Sequence, residues 1–226
     1  MPSFIQTNML VVVPMYNEVE SIELMVKKLN KLALNFIIVD NNSTDGCREI
    51  ALKLGAEVYQ RDEFGTGYGC AVLKGLEIAH QKGFKYVGLI DCDVTYKPEY
   101  FLEMEKFVSS NNMVLGVRDF SNISLLRRIG NNIHTHFTNL IYGTSMKDVN
   151  TGLRIVEVQA FRNHVSEKYM GMVPQMTSFA LRNNLKIKEI PIDYQPRLGN
   201  SKLNKIKDGW EILLAIWRER LKKRVL

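Results

Sequence analysis

Tyr86-Val-Gly-Leu-Ile-Asp-Cys-Asp93 is the stretch on which the fold turns. Tyr86–Ile90 is short, apolar and without polar alternation, so it reads as a strand buried on both faces, as in parallel sheets. It runs directly into two carboxylates two residues apart, which one tight bend can turn toward a common point. Lys97-Pro98-Glu99 then opens a helix, with proline at or near its first position. The same pattern recurs toward the N-terminus. Met9-Leu-Val-Val-Val13 stops at Pro14 and leads through Tyr16-Asn17-Glu18 into Ser21–Leu32, where Ile22, Met25, Val26, Leu29 and Leu32 fall at helical spacing. Phe36–Val39 is a second buried strand. It ends in the polar turn cluster Asp40–Gly46 and is followed by a helix over about Cys47–Leu54 and a short strand, Glu57–Gln60. Phe64-Gly-Thr-Gly-Tyr-Gly69 feeds a helix over about Cys70–Lys82, and Met113–Val117 is a fifth strand.

This alternation predicts an α/β chain with a mainly parallel central sheet and helices on both faces. Ligands of such sheets bind at the carboxyl ends of the strands. Pro14–Glu18, Asp40–Asp45 and Asp91–Asp93 all lie there, so three separate loops converge on one crevice. The second half is less regular. Ser124–Tyr142 reads as a helix whose His134 and His136, two residues apart, do not share a face. Asp148–Arg154 reads as a loop, Ile187–Tyr194 as an alternating strand that Pro191 assigns to an edge, Arg197–Lys202 as a polar loop and Leu203–Leu226 as a closing helix. No repeat or linker breaks the chain, so residues 1–226 are expected to form one domain, with 203–226 as an amphipathic basic C-terminal helix.

Of the 226 residues, 46% are hydrophobic and 24% charged, which excludes disordered, collagen-like and coiled-coil chains. The longest apolar runs fall well short of the roughly 18 residues of a spanning helix, and the first residues lack the basic and apolar regions of a signal peptide. A cytosolic setting is expected, with Cys47, Cys70 and Cys92 reduced. The net charge is +6, and after Gln195 nine Lys and Arg residues face three acidic ones. Such a block suits a membrane surface, a phosphorylated ligand or a nucleic acid. The last helix carries Leu203, Ile206, Trp210, Leu213, Leu214, Trp217 and Leu221 among its cations. It can lie in a membrane interface or pack into the core with a solvated back. Its tryptophans sit on a helix rather than on a stacking platform, which argues against nucleic acid.

Asp91 and Asp93 suit a hard divalent cation shared with phosphate oxygens, which would neutralise charge on a departing diphosphate; the bland alternative is a solvated turn. Asp40 and Asp45 can accept hydrogen bonds from a nucleobase or ribose, or serve only the turn chemistry of their own loop. Gly65-x-Gly67-x-Gly69 matches neither the dinucleotide fingerprint nor a Walker loop, and reads as a close-packing turn. Arg197-Leu-Gly-Asn-Ser-Lys202 gathers two cations and a hydroxyl around a glycine, a set suited to phosphate, which Arg118 can join.

Val11-Val-Val-Pro-Met-Tyr-Asn-Glu18, Val39-Asp-Asn-Asn-Ser-Thr-Asp-Gly46, Asp91-Cys-Asp93, Gly116-Val-Arg118, Asp148-Val-Asn-Thr-Gly-Leu-Arg154, Glu189-Ile-Pro-Ile-Asp-Tyr194 and Arg197–Lys202 occur in this order. Together they resemble the family 2 glycosyltransferases of GT-A fold, and within them the dolichyl- or polyprenyl-phosphate sugar synthases, over nearly the whole chain. The resemblance implies that Pro14, Tyr16, Glu18, Asp40 and Asp45 line a donor nucleotide pocket. It implies Mg²⁺ or Mn²⁺ on Asp91 and Asp93, with Arg118 beside them at the catalytic centre. Arg197 and Lys202, with Ser201 and Arg118, would hold the acceptor phosphate or the donor phosphates, and Asp148, Arg154 and Gln175 would shape the sugar pocket. Many relatives carry a glutamine two residues after the second metal carboxylate, where this chain has Thr95, and often a glutamate at Gln175.

The implied reaction is inverting transfer of a hexosyl unit, GDP-mannose favoured and UDP-sugars possible, to dolichyl or polyprenyl phosphate. An ionised phosphate attacks without a general base. The implied place is peripheral, on the cytoplasmic face of a membrane, through the C-terminal helix or a membrane-anchoring subunit. Two alternatives remain: a family 2 transferase acting on a sugar hydroxyl, and a sugar-phosphate nucleotidyltransferase.

Overall fold

The computed structural model describes residues 8–60, 65–120, 125–199 and 205–225. Ser201 and Lys202, and the residues expected to begin the last helix, lie outside them. Strands β1 (Met9–Met15), β2 (Phe36–Asp40), β3 (Val58–Gln60) and β4 (Tyr86–Leu89) alternate with helices α1 (Ile22–Lys31), α2 (Cys47–Lys53) and α3 (Tyr68–Gln81). There follow α4 (Tyr100–Met104), a 3₁₀ segment (Glu105–Ser110), β5 (Met113–Arg118), α5 (Leu125–Tyr142), β6 (Arg154–Glu157), α6 (Val158–Phe161), α7 (Met172–Arg182), β7 (Ile187–Ile192) and α8 (Lys205–Leu221).

The seven strands form one sheet in the order β3-β2-β1-β4-β6-β5-β7. All run parallel except β6, which is antiparallel to both β4 and β5. β6 was not legible as a strand: only Arg154, its first residue, belonged to a recognised motif, and four residues are too few for a periodicity. β7 occupies the edge and places Pro191 opposite Val117, where a missing N–H costs the ladder little.

The buried strands obey the two-residue period. Met9, Val11, Val13 and Met15 of β1 join one core with Ile22, Met25, Val26 and Leu29 of α1, Cys47 and Ala51 of α2, and Phe101 and Met104 of α4. Leu10 and Val12 point the other way, into a core with Ala71, Val72 and Leu76 of α3 and Met172, Met176 and Phe179 of α7. Helices thus cover both faces, as the apolar runs required. The glycine-rich segment also behaves as a packing turn. A Cβ on Gly69 would stand 2.0 Å from the Glu167 carbonyl oxygen, one on Gly67 would stand 2.4 Å from that of Lys168, and the Cys70 amide donates to the latter at 3.2 Å.

α8 lies against α7 and α5. Ala215, Ile216 and Glu219 face inward and are buried. Trp210, Leu214, Trp217 and Leu221, spaced 4-3-4 along one stripe, are 64, 43, 47 and 68% exposed. Leu125, Ile129 and Ile133 of α5 are exposed as well. Among the described residues no helix is long and apolar enough to cross a membrane.

Candidate functional site

The three strand-end loops meet as expected. Met15 and Asp40 are register partners at the ends of β1 and β2, and short polar bonds knit the loops that follow. The Asn17 amide donates to Ser43 Oγ at 2.9 Å, and the Thr44 amide to Asn17 Oδ1 at 2.8 Å. Asp45 accepts from the Val19 amide at 2.9 Å and the Cys47 amide at 3.1 Å. Burial opposes ionisation of Asp45, but the hydrogen bonds from Cys47 and Val19 outweigh it and hold the carboxyl below its ordinary range. Asp40 is fully buried. Its Oδ1 accepts from the Ser43 amide and hydroxyl, while its Oδ2 has no partner. A buried carboxylate oxygen without a donor is expensive, and a ligand N–H or O–H would relieve it. The turn chemistry expected of this loop therefore exists, yet it uses only half of Asp40.

Asp91 and Asp93 follow β4. Asp93 Oδ1 accepts from the Thr95 amide at 3.1 Å and the Thr95 hydroxyl at 2.6 Å, and Oδ2 accepts from Arg197 Nη1 at 2.9 Å. Between Asp93 and Thr95, Val94 adopts φ 54°, a left-handed conformation that a β-branched residue reaches only under strain. The Asp91 carboxylate lies against the Asp148–Arg154 loop: a Cβ on Gly152 would stand 2.4 Å from Asp91 Oδ2. The Gly152 amide in turn donates to Tyr96 Oη at 2.8 Å. Burial, then the charge of Asp93, pushes Asp91 up to a pKa of about 7.

Arg197 arrives from the far end of the chain. Its Nη2 pairs with Glu18 while its Nη1 holds Asp93, so one guanidinium bridges the first loop and the paired aspartates. Arg118 is committed elsewhere. Its Nε and Nη2 form a fork with Asp148 at 2.7 and 2.9 Å, Nη2 also reaches Asn131 at 3.2 Å, and the plane lies over Tyr194 with 5.5 Å to the ring centroid. Asp148 is fully buried and Arg118 nearly so. Arg154 is fully buried and donates to the Thr151 and Val173 carbonyls, tying the loop to α7; burial draws its pKa down to about 10. Gln175 does not join the crevice. Its Oε1 accepts from the Ser166 and Glu167 amides, and its Nε2 donates to Glu219 of α8 at 3.0 Å.

A model of the family described as Glycosyl transferase family 2 matches residues 10–169, most of this chain. The chain belongs to glycosyl transferase family 2. The chain is 33% identical over 183 residues to the low-salt glycan biosynthesis hexosyltransferase Agl6 of Haloferax volcanii, a match covering 77% of this chain but only 43% of that protein. It is 25% identical to a dolichyl-phosphate hexose transferase of the same organism over 95% of each chain. In fold it is similar to glucosyl-3-phosphoglycerate synthase of Mycobacterium tuberculosis in complex with Mn²⁺ and UDP-glucose, with a TM-score of 0.78, 15% identity, and coverage of 95% of this chain and 79% of that one.

The residues at the end of β4 fit a divalent cation. Asp91 and Asp93 are hard oxygen donors, and a side chain at Gly152 would crowd the first of them. Among the described residues no group of three or more His, Cys, Asp or Glu side chains could hold a metal. Asp91 and Asp93 would supply two carboxylates to such an ion, and a bound ligand's oxygens would supply the rest. Sequence reasoning missed Tyr68, half-buried with its hydroxyl enclosed, and Tyr96, fully buried, both near Asp91, and the contact of Gly152 with it. No motif announces them, since their role depends on which loops meet. Thr95, marked only as a departure from relatives, orients Asp93. His134 is buried and bonded to Asn150 at 2.7 Å and His136 is exposed, so they form no pair.

Proposed function

We propose that this glycosyltransferase transfers a hexosyl unit from a nucleotide sugar to a polyprenyl or dolichyl phosphate, inverting the anomeric carbon. One observation carries the reading: the two carboxylates flanking Asp91 and Asp93 are each held by an arginine, Glu18 by Arg197 and Asp148 by Arg118. Neither flanking carboxylate is left unengaged to deprotonate a hydroxyl acceptor. A phosphate nucleophile is already ionised and needs positioning, not a base. The Asp40 Oδ2 atom and the loop around Asn17 and Ser43 receive the nucleoside, with Pro14 and Tyr16 alongside. Asp91 and Asp93 hold Mg²⁺ or Mn²⁺, which would supply charge neutralisation on the departing diphosphate. Asp148 and Arg118 form the rigid wall of the sugar side, braced by Arg154.

The names of the relatives support a lipid-phosphate acceptor, among them a dolichyl-phosphate hexose transferase and an undecaprenyl-phosphate mannosyltransferase of Micrococcus luteus. The outward stripe of Trp210, Leu214, Trp217 and Leu221, flanked by Arg218, Lys222 and Lys223, supports peripheral docking on an anionic bilayer, on its cytoplasmic face. A membrane-anchoring subunit could share that stripe.

The test is a donor screen with a short polyprenyl phosphate, Mg²⁺ or Mn²⁺, and readout of released GDP against UDP. GDP-mannose is the favoured donor. Transfer to sugar hydroxyls with none to the phosphate would overturn the reading. Trp210→Ala with Trp217→Ala should release the protein from anionic vesicles in a flotation assay.

A further inference from the structure

Arg197 occupies the corner at which a divalent cation and a diphosphate would meet. Its Nη1 donates to Asp93 Oδ2 at 2.9 Å and its Nη2 pairs with Glu18. Its Nε is buried and has no partner. The backbone around it is clipped to the same loop, the Gln195 amide donating to the Thr95 carbonyl at 2.9 Å and the Leu198 amide to the Asp93 carbonyl at 3.3 Å. The other Asp93 oxygen is taken by Thr95. Both oxygens of Asp93 are therefore committed, and the one facing Glu18 is committed to a cation.

Resting on the function proposed above, we infer that Arg197 is a stand-in cation which the metal displaces, and that the displaced guanidinium is what then receives the acceptor phosphate. A divalent ion and a guanidinium on one carboxylate oxygen repel each other at short range. Metal with the donor diphosphate and Arg197 therefore exchange at Asp93. Until they exchange, Arg197 is neutralised by two carboxylates and a phosphomonoester gains little from it. Once displaced, it presents its fork to that phosphate. Binding is thereby ordered, donor and metal before acceptor, and a guarded Asp93 meets the acceptor only when a sugar is in place.

The coupling is reciprocal, which makes it measurable without turnover. Mn²⁺ binding to the full chain is titrated by electron paramagnetic resonance of the free ion, without nucleotide, with and without prenyl phosphate. Arg197→Gln should bind Mn²⁺ at least about fivefold more tightly than wild type. Prenyl phosphate should tighten Mn²⁺ binding in wild type by drawing Arg197 away, and should not do so in Arg197→Gln. Arg197→Lys keeps one charge but cannot fork between two carboxylates; its Mn²⁺ affinity should fall between the other two, and it carries the test if Arg197→Gln does not fold. Equal Mn²⁺ affinities in all three proteins, or equal tightening by prenyl phosphate in wild type and Arg197→Gln, would overturn the exchange. Absence of Mn²⁺ binding even with GDP or UDP would overturn the functional reading along with it.

Discussion

The half of the molecule built from β1 to β4 and the half that follows treat their polar groups in opposite ways. In the first, carboxylates stand at strand ends and are met by backbone amides and small hydroxyls from neighbouring loops, as Asp40 is by Ser43 and Asp45 by Val19 and Cys47. They keep capacity in reserve, including a buried Asp40 oxygen with no donor. In the second, charges are spent on one another. Arg118 closes on Asp148, Arg182 on Glu219 at 2.7 Å, and Arg154 on carbonyls. The difference separates a ligand-facing half from a bracing half. They share one sheet and both cores, and at the site itself they are joined by Arg197 and Gly152.

The largest expected effect tests the bracing half. Glu219→Ala leaves Arg182 buried without its partner and strips Gln175 and Lys222 of an acceptor. It should cost about 3–5 kcal/mol in urea unfolding, while the protein that remains folded still transfers sugar. The ligand-facing half should answer in the reverse sense. Asp91→Asn should lower turnover about 10²–10³-fold without loss of stability, measured by nucleoside diphosphate release and by melting. If the stability falls with the activity, the division between the halves is wrong.

The same variant sharpens the electrostatics. The Asp91 carboxyl holds its proton up to about pH 7 in the folded chain, against an ordinary value of 3.8. The stabilising contribution of that proton is complete below about pH 4 and is lost as pH rises through about 7. Without metal, wild type and Asp91→Asn should thus be closely matched below about pH 4 and diverge between about pH 4 and 7, wild type becoming the weaker, with little further change above that range. Mn²⁺ should reverse that trend in wild type alone. Below pH 7 its Mn²⁺ affinity should fall by up to about tenfold per unit, one proton competing with one ion.

The smallest effect tests the meeting point. Gly152→Ala sets a methyl against Asp91 Oδ2, a strain of about 1–3 kcal/mol for an overpacked site. Part of it should appear as a severalfold weaker Mn²⁺ affinity and part as lowered stability. An effect on stability alone would mean that Gly152 serves the loop and not the carboxylate.

Legibility followed the same division. Strands β1, β2 and β4 each announced themselves by an apolar run and their loops by polar residues directly after it, so the strand ends carrying Asp40, Asp45, Asp91 and Asp93 could be placed on one side of the sheet without coordinates. The later half yielded its motifs but not their use. Arg154 looked like the end of a loop and is the start of the antiparallel β6. Gln175 looked like a pocket residue and is the hinge of a bond network to α8. Arg118 looked like a phosphate ligand and is paired with Asp148. Whether a charged side chain faces a ligand or another side chain depends on what stands opposite it, and nothing in its own segment records that.

The amino-acid sequence by itself determined the alternation of strands and helices, the side of the sheet on which the site lies and the acidic character of its floor. These follow from local periodicity and from where apolar runs stop. Only the tertiary structure decided that Arg197 rests on Asp93, 104 residues away, and on Glu18, 179 residues away. An ion pair between distant segments exists only after the chain has closed, because the partner of each charge is chosen by the packing of the sheet.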